Sequence, residues 1–268
     1  MKVLKESDYK CITIDWLFRK GLLGNDAVLI NELPVDGFSR RADLVVANGK
    51  LHAFEIKSDA DSLVRLQGQI NTYLSFFDKV TLVCSRKFSD RAMELLPKEV
   101  EILELSIAKG AYSLKYRRRG KINEVSSPRE YLSFVDKRSL MSRLKSEGVP
   151  VSPSDSNLAL YRKASTIAKS RWREITLNYL KDKYSETYRR FLDSRGSATD
   201  ISDVCLLSPR ALIEADEMEL IPSVEAKGWE EWKPSESSSH SAIDVSGRMA
   251  QYGFVTKGPV MLIPRSNN

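Results

Sequence analysis

Apolar and polar residues alternate along residues 51–57, placing Phe54 and Ile56 on one face of a strand and Glu55 and Lys57 on the other. A second β-run, residues 41–47, precedes it across Asn48-Gly49, a dipeptide that favours a hairpin turn. A plain two-residue turn would pair Asp43 with Phe54. A three-residue connection through Lys50 pairs Ala47 with Leu51 and Asp43 with Glu55. That form is expected, because it also gathers Leu44, Val46, Phe54 and Ile56 on one apolar face and leaves the acids on the other. Upstream, residues 8–22 predict a helix, and residues 27–33 predict a strand that carries Glu32 and ends at Pro34. Downstream, residues 61–78 predict a helix capped by Asp59 or Asp61, with Leu63, Leu66, Ile70, Leu74 and Phe77 as its apolar stripe. Gln69 and Tyr73 share a different edge of it, and residues 79–84 predict another strand.

The pattern is less regular further on. A short helix is expected over 88–97, a strand over 100–105, and a hairpin of 111–116 with 121–125 around Arg117, Arg118, Arg119 and Gly120. Arginines at such a tip either grip phosphate or are merely solvated. Residues 128–147 predict a helix closed by Gly148, and the turn-rich stretch 149–155 a linker. Helices follow over 157–170 and 171–194, the second with Gly196 as C-cap, then short helices over 199–207 and 208–220. Residues 235–241 are expected to be flexible and 253–264 to form a terminal hairpin. Three segments result: a core over 1–115, a basic and mainly helical region over 116–220, and a polar tail over 221–268.

Charge sharpens this division. The 268 residues carry 42 basic and 36 acidic side chains, net +6. Residues 1–115 are net +1, residues 116–200 net +9 and residues 201–268 net −4. A nearly neutral core followed by a basic segment suits a protein that holds a polyanion partly outside its reactive site; a merely lysine-rich helical surface is the plain alternative. No apolar run is long enough to span a membrane, and acidic residues come too early for a secretory signal. Cys11, Cys84 and Cys205 lack Cys-x-x-Cys spacing, and with two histidines no zinc site can be assembled. A cytoplasmic protein is expected. His52, beside the hairpin turn, is expected to be a solvated strand residue.

Two neighbouring carboxylates repel unless positive charge lies between them. Hard oxygen ligands of this kind favour Mg²⁺ or Mn²⁺, which keep several waters and bind substrate phosphate. A nearby ammonium such as Lys57 can orient water or hold the phosphate. Taken alone, Glu-x-Lys is an ordinary surface ion pair; its company is what points to chemistry.

That company resembles the PD-(D/E)xK phosphodiesterase superfamily. The resemblance rests on the order helix, three strands, helix, strand, with Asp43 on the second strand and Glu55-Ile56-Lys57 on the third. Gln69-Ile70-Asn71-Thr72-Tyr73 is similar to the Gln-x-x-x-Tyr signature of the RecB-type branch. The run Asn31-Glu32-Leu33, Arg41-Ala42-Asp43 and Glu55-Ile56-Lys57-Ser58-Asp59 also resembles MmcB-type repair endonucleases and related bacterial and phage proteins. The likeness covers about residues 5–105, with Ala42 where the motif's proline would stand and no upstream histidine. It implies an α/β fold, a restriction-endonuclease-like central mixed sheet flanked by helices, followed by a mainly helical C-terminal region. It further implies a Mg²⁺- or Mn²⁺-dependent nuclease cleaving DNA. Asp43 and Glu55 would hold metal with Glu32 helping (Glu6 competes for that place), and Lys57 would activate water. Gln69 and Tyr73 would shape the site and contact substrate, and Arg41 would either touch phosphate or neutralise the acids. Arg117, Arg118 and Arg119 are further candidates for the nucleic-acid track. The alternatives are a non-catalytic nucleic-acid-binding module of the same fold and an RNA-cleaving effector.

Overall fold

In the computed structural model, residues 4–107 and 111–208 are described throughout, together with the backbone of Ala108, 229–231, 243–244 and 261–264. Contacts divide the chain into Met1–Leu212 and Ile213–Asn268. The first unit is α/β. Helix α1 (Glu6–Arg19) leads into strands β1 (Val28–Val35), β2 (Arg40–Ala47) and β3 (Leu51–Lys57). Helix α2 (Leu66–Phe76), strand β4 (Lys79–Ser85), helix α3 (Arg86–Leu95), and strands β5 (Glu101–Ala108) and β6 (Ala111–Arg118) complete the sheet region. Helices α4 (Pro128–Leu132), α5 (Lys137–Ser146), α6 (Asn157–Ala164), α7 (Lys169–Ser194) and α8 (Ile201–Leu206) follow. The sheet has six strands in the order β1-β2-β3-β4-β5-β6. It is mixed: β1, β2 and β3 form an antiparallel meander, β3, β4 and β5 run parallel, and β6 returns antiparallel. The parallel steps demand crossovers, which α2 and α3 provide.

The hairpin between β2 and β3 forms with the three-residue connection, pairing Ala47 with Leu51 and Leu44 with Phe54. Gly49 makes it possible, at φ 92°, a backbone conformation that side-chain-bearing residues adopt only with strain. Both faces of these strands are covered, so Val45, Ala53 and Phe54 are all fully buried. This corrects the expectation for His52. The ring is buried, packs at a tilt against Phe54 with centroids 4.0 Å apart and lies 2.7 Å from Thr81 Oγ1, because a central strand packed on both sides has no solvated face.

Several boundaries also differ. The second helix begins at Leu66 without a side-chain cap, because Asp61 instead accepts hydrogen bonds from the Ser58 amide and hydroxyl. The helix expected over 128–147 is broken into α4 and α5, since Asp136 caps a new start by accepting from the Ser139 amide. At the end of α7 the cap residue is Arg195 in extended conformation, and Gly196 does not adopt a left-handed turn. The turn-rich stretch 149–155 lies within the first unit. Residues 209–220 and 235–241 fall outside the described residues. In the second unit, β7 (Trp229–Glu231), β8 (Ile243–Asp244) and β9 (Met261–Pro264) form a small antiparallel sheet with β9 central. The last strand of the expected terminal hairpin therefore pairs with these two segments, and residues 253–260 lie outside the described residues.

One buried carboxylate fastens the helical region to the sheet. Asp78, fully buried between α2 and β4, accepts from the Leu51 amide at 2.8 Å and from the Tyr131 hydroxyl of α4. Arg173 of α7 approaches the same carboxylate at 2.8 Å. Asn123 adds its side-chain amide to the Leu74 and Phe77 carbonyls that end α2, satisfying acceptors a helix terminus would otherwise leave bare.

Replacing Asp78 with alanine strands the Leu51 amide, Tyr131 and Arg173 together, so unfolding free energy in urea should fall by about 3–5 kcal/mol, the usual cost of halving a buried pair. His52 gives a pH signature. Burial, with Lys79 adding to it, holds the imidazole well below its ordinary 6.5, so the unfolded chain binds a proton that the folded chain does not. Stability should therefore decline as pH falls below about 6.5, and His52→Gln should flatten that slope in thermal unfolding followed across pH.

Candidate functional site

Glu55 sits on a central strand with 1 % of its surface exposed. Carboxylates are rarely placed there unless donors surround them. Here three do. Oε1 accepts from Lys57 Nζ at 2.6 Å and from Gln69 Nε2 at 2.6 Å, and Oε2 lies 2.9 Å from the Tyr73 hydroxyl. That hydroxyl is also 2.7 Å from the Arg41 carbonyl, and its single proton serves one acceptor at a time. Gln69 and Tyr73, four residues apart, reach Glu55 together because that spacing stacks them on one edge of α2.

Asp43 lies across from Glu55 if the β2–β3 register is continued one step, but the ladder itself ends at Leu44 and Phe54. Beyond that point Asp43 Oδ2 takes the Ile56 amide at 2.7 Å, doing the work of the missing backbone carbonyl. Burial, then the charge of Glu55, pushes the Asp43 carboxyl well above the ordinary range, against the pull of the Ile56 amide. Burial likewise raises Glu55, opposed by Lys57, Tyr73 and Gln69. Two desolvated carboxyls so close compete for ionisation and titrate as a pair.

Glu32 completes a row across three strands, falling between the pairs Asn31–Leu44 and Leu33–Ala42 and hence across from Asp43. Its φ is 59°, left-handed in the middle of a strand, which costs roughly 1–3 kcal/mol for a residue with a side chain. Its carboxylate meets Lys10 Nζ at 3.2 Å and Arg41 Nη1 at 3.1 Å. Arg41 is thus a partner of the acids. Lys10 was not foreseen. It projects from α1, is almost wholly buried, and also pairs with Glu6 at 3.1 Å. Burial would lower its ammonium, but Asp43, Glu6 and Glu32 outweigh that and raise it. The available signal was a lysine in register with Ile14 and Leu17, inside the apolar stripe of an amphipathic helix.

Part of this row opens on a cleft of about 700 Å³, lined among others by Asn31, Glu32, Arg41, Asp43 and Gln69, while Glu55, Lys57, Tyr73 and Lys10 are not among its lining residues. Asn31 Oδ1 and Gln69 Oε1 are buried without hydrogen-bond partners. Among the described residues no three of His, Cys, Asp and Glu form a ready-made metal cluster.

Arg117, Arg118 and Arg119 lie elsewhere. Strands β5 and β6 pair up to Ala108 with Ala111, so Arg117 and Arg118 lie at the far end of β6, Arg119 follows directly, and none of the three sits at a hairpin tip between 111–116 and 121–125. Arg117 pairs with Glu104 at 3.0 Å and Asp90 at 2.6 Å, and Arg119 stacks 4.3 Å over the Tyr116 ring. Arg118 donates to the carbonyls of Met93, Leu96, Val100 and Pro97, closing the end of α3. Gly120 suggested a turn; its actual reason is close approach, since a Cβ there would lie 2.6 Å from Glu101 N and from Glu99 O. Strand β6 is four strands from β2, about 19 Å at roughly 4.8 Å per strand.

A mixed α/β sheet with paired, desolvated carboxylates and a lysine at the end of its antiparallel meander defines the class of site. Residues 1–208 match the family described as Bacteriophage P4 protein cII, and the chain belongs to that family. It is 36 % identical over 209 residues to Protein cII of Enterobacteria phage P4, spanning 77 % of this chain and 79 % of that protein. Among solved structures, SPO1766, a protein of unknown function from Silicibacter pomeroyi, aligns with 57 % of this chain and 99 % of its own, at 18 % identity and a TM-score of 0.34.

Arg118→Ala should lower unfolding free energy by about 1.5–3 kcal/mol, the range for hydrogen bonds from a charged group, while leaving the Asp43 cleft untouched. Urea unfolding together with the chemical shifts of the Gln69 side-chain amide would check both halves.

Proposed function

We propose that this chain is a metal-dependent nuclease of the PD-(D/E)xK type, with DNA as the leading substrate. The observation that carries the reading is the buried Glu55, held by Lys57, Gln69 and Tyr73 and electrostatically coupled to Asp43. A purely structural role would not call for two desolvated carboxyls competing on neighbouring strands, because a hydrophobic pair packs as well at less cost.

The donor chemistry fits Mg²⁺ or Mn²⁺. Asp43, the unpartnered buried oxygens of Asn31 and Gln69, and Glu55 are all hard oxygen donors, and the first three line one cleft. Asp43 and Glu55 would hold the ion, with Glu32 acting from the outer side of the row. Such an ion, when bound, lowers the pKa of water and offsets charge growing on a phosphate. The chain's own residues do the rest. Lys57 donates toward Glu55, and its ammonium would hold or orient a water or a phosphate oxygen. Tyr73 and Gln69 fix the Glu55 rotamer, and Lys10 with Arg41 neutralises Glu32 so that phosphate is not repelled. The second reading, a nucleic-acid-binding module without turnover, is favoured by one observation: Lys57 is already engaged by Glu55 at 2.6 Å.

The test is incubation of labelled single- and double-stranded DNA and RNA with Mg²⁺ or Mn²⁺. Wild type should cleave, excess EDTA should stop it, and Ca²⁺ should support it poorly. Lys57→Ala and Asp43→Asn should each reduce turnover by at least about 100-fold, the scale of a lost electrostatic group, without weakening binding. Binding with no cleavage under any of these metals would select the non-catalytic reading.

A further inference from the structure

The cleft has a second feature that the acids do not explain. Phe38, at the tip of the β1–β2 hairpin, lines its mouth and is 84 % exposed. It also holds φ 72°, following Asp36 at 50° and Gly37 at 61°. A bulky residue in left-handed conformation is a genuine outlier, costing of order 1–3 kcal/mol. Stability therefore argues twice against phenylalanine here, since it accepts strain and buries almost nothing. The turn is nonetheless well held, with the Ser39 amide donating to the Asp36 carbonyl and the Ser39 hydroxyl to Asp36 Oδ2.

Its neighbours are cations. Arg40 and Arg65 line the same cleft, are exposed, and make no ion pair among the described residues, unlike most of the arginines of the basic 116–200 segment. Arg40 reaches toward α2, where a methyl built on Gly68 would sit 3.6 Å from its Nη2. The hairpin tip and the start of α2 thus bracket the mouth, with a π-face on one side and guanidinium groups along it.

We infer that the β1–β2 tip is a base-stacking element that selects unpaired nucleotides, with Phe38 stacking on a base while Arg40 and Arg65 hold the flanking phosphates. A base inside a duplex keeps both faces stacked on its neighbours, and only an unpaired or frayed base can offer one to Phe38. The inference rests on the nucleic-acid reading above and specifies its substrate class: single strands or the single-stranded ends of duplexes.

The experiment measures binding in EDTA, independently of turnover, by anisotropy of a fluorescein-labelled 12-nucleotide single strand, an abasic strand of equal length, and a blunt duplex. Phe38→Ala should weaken the base-bearing strand about 5- to 150-fold, the worth of one base–aromatic stack, and leave the abasic strand unchanged. Phe38→Trp should bind as wild type does. Phe38→Gly should lose binding like alanine while melting no lower than wild type, because glycine accepts the left-handed backbone. Arg40→Gln with Arg65→Gln should weaken both strands and flatten the salt slope by about 1.4, at roughly 0.7 per phosphate. Unchanged affinity in Phe38→Ala, an equal loss on the abasic strand, or no binding of single strands by wild type overturns the inference. Unchanged affinity with an altered hydrodynamic size would assign Phe38 to a protein contact and overturn it too. Cleavage in Mg²⁺ by wild type and Asp43→Asn separates the two ideas. Stacking without Asp43-dependent cleavage sinks only the nuclease reading, and Asp43-dependent cleavage with a silent Phe38 sinks only this one.

Discussion

Everything at the candidate site depends on the register of one hairpin. A shift of a single residue between β2 and β3 would turn Asp43 to the far face of the sheet and bring an apolar neighbour, Ala42 or Leu44, opposite Glu55. The left-handed Gly49 permits the three-residue connection, and the buried pairs Leu44–Phe54 and Ala47–Leu51 lock it. Because both faces of the sheet are covered, no register in which charge merely meets solvent is available, and the acids must be satisfied from within.

How they are satisfied separates the three acids. Glu55 is enclosed by a lysine, an amide and a phenol, so its carboxylate is rigid. Asp43 is held on one oxygen by the Ile56 amide, where the strand ladder ends. Glu32 is half exposed and held by Lys10 and Arg41 at the cost of a left-handed backbone. Desolvation, repulsion and strain accumulate over a few residues here, whereas the buried Glu101 and Glu104 elsewhere in the sheet are each met by a cation, Lys79 and Arg117. Such local concentration of unfavourable terms is what sites for chemistry or binding have in common.

The basic segment is better understood as partly internal. Arg173 serves Asp78, Arg195 serves Asp15, Lys181 serves Asp26 and Arg171 serves Glu147. Three of these pairs tie α7 and the residue after it to acids of the nearly neutral first hundred residues. Part of the +9 charge therefore fastens helices to the sheet, and the unpaired arginines at the cleft come from the β1–β2 hairpin and the start of α2 instead.

Period-two alternation, Asn48-Gly49 and the Gln69–Tyr73 spacing determined much by themselves: the element order through residue 84, the three-residue turn, and the row holding Asp43 and Glu55. These are local signals, set by backbone geometry within a few residues. Tertiary structure alone decided the rest, because the deciding contacts join distant segments. His52 is buried because strands on both sides and the layers above and below enclose it, which no window around it reveals. Lys10 joins the acids because α1 folds back against the meander. Arg118 closes a helix some 25 residues earlier, and Gly120 is required by the backbone at 99–101, so a tripeptide of arginines beside a glycine looked like a turn and is a strand end. Strain at Glu32 and Phe38 is equally invisible in the sequence, since a left-handed φ at a residue with a side chain is imposed by the fold around it.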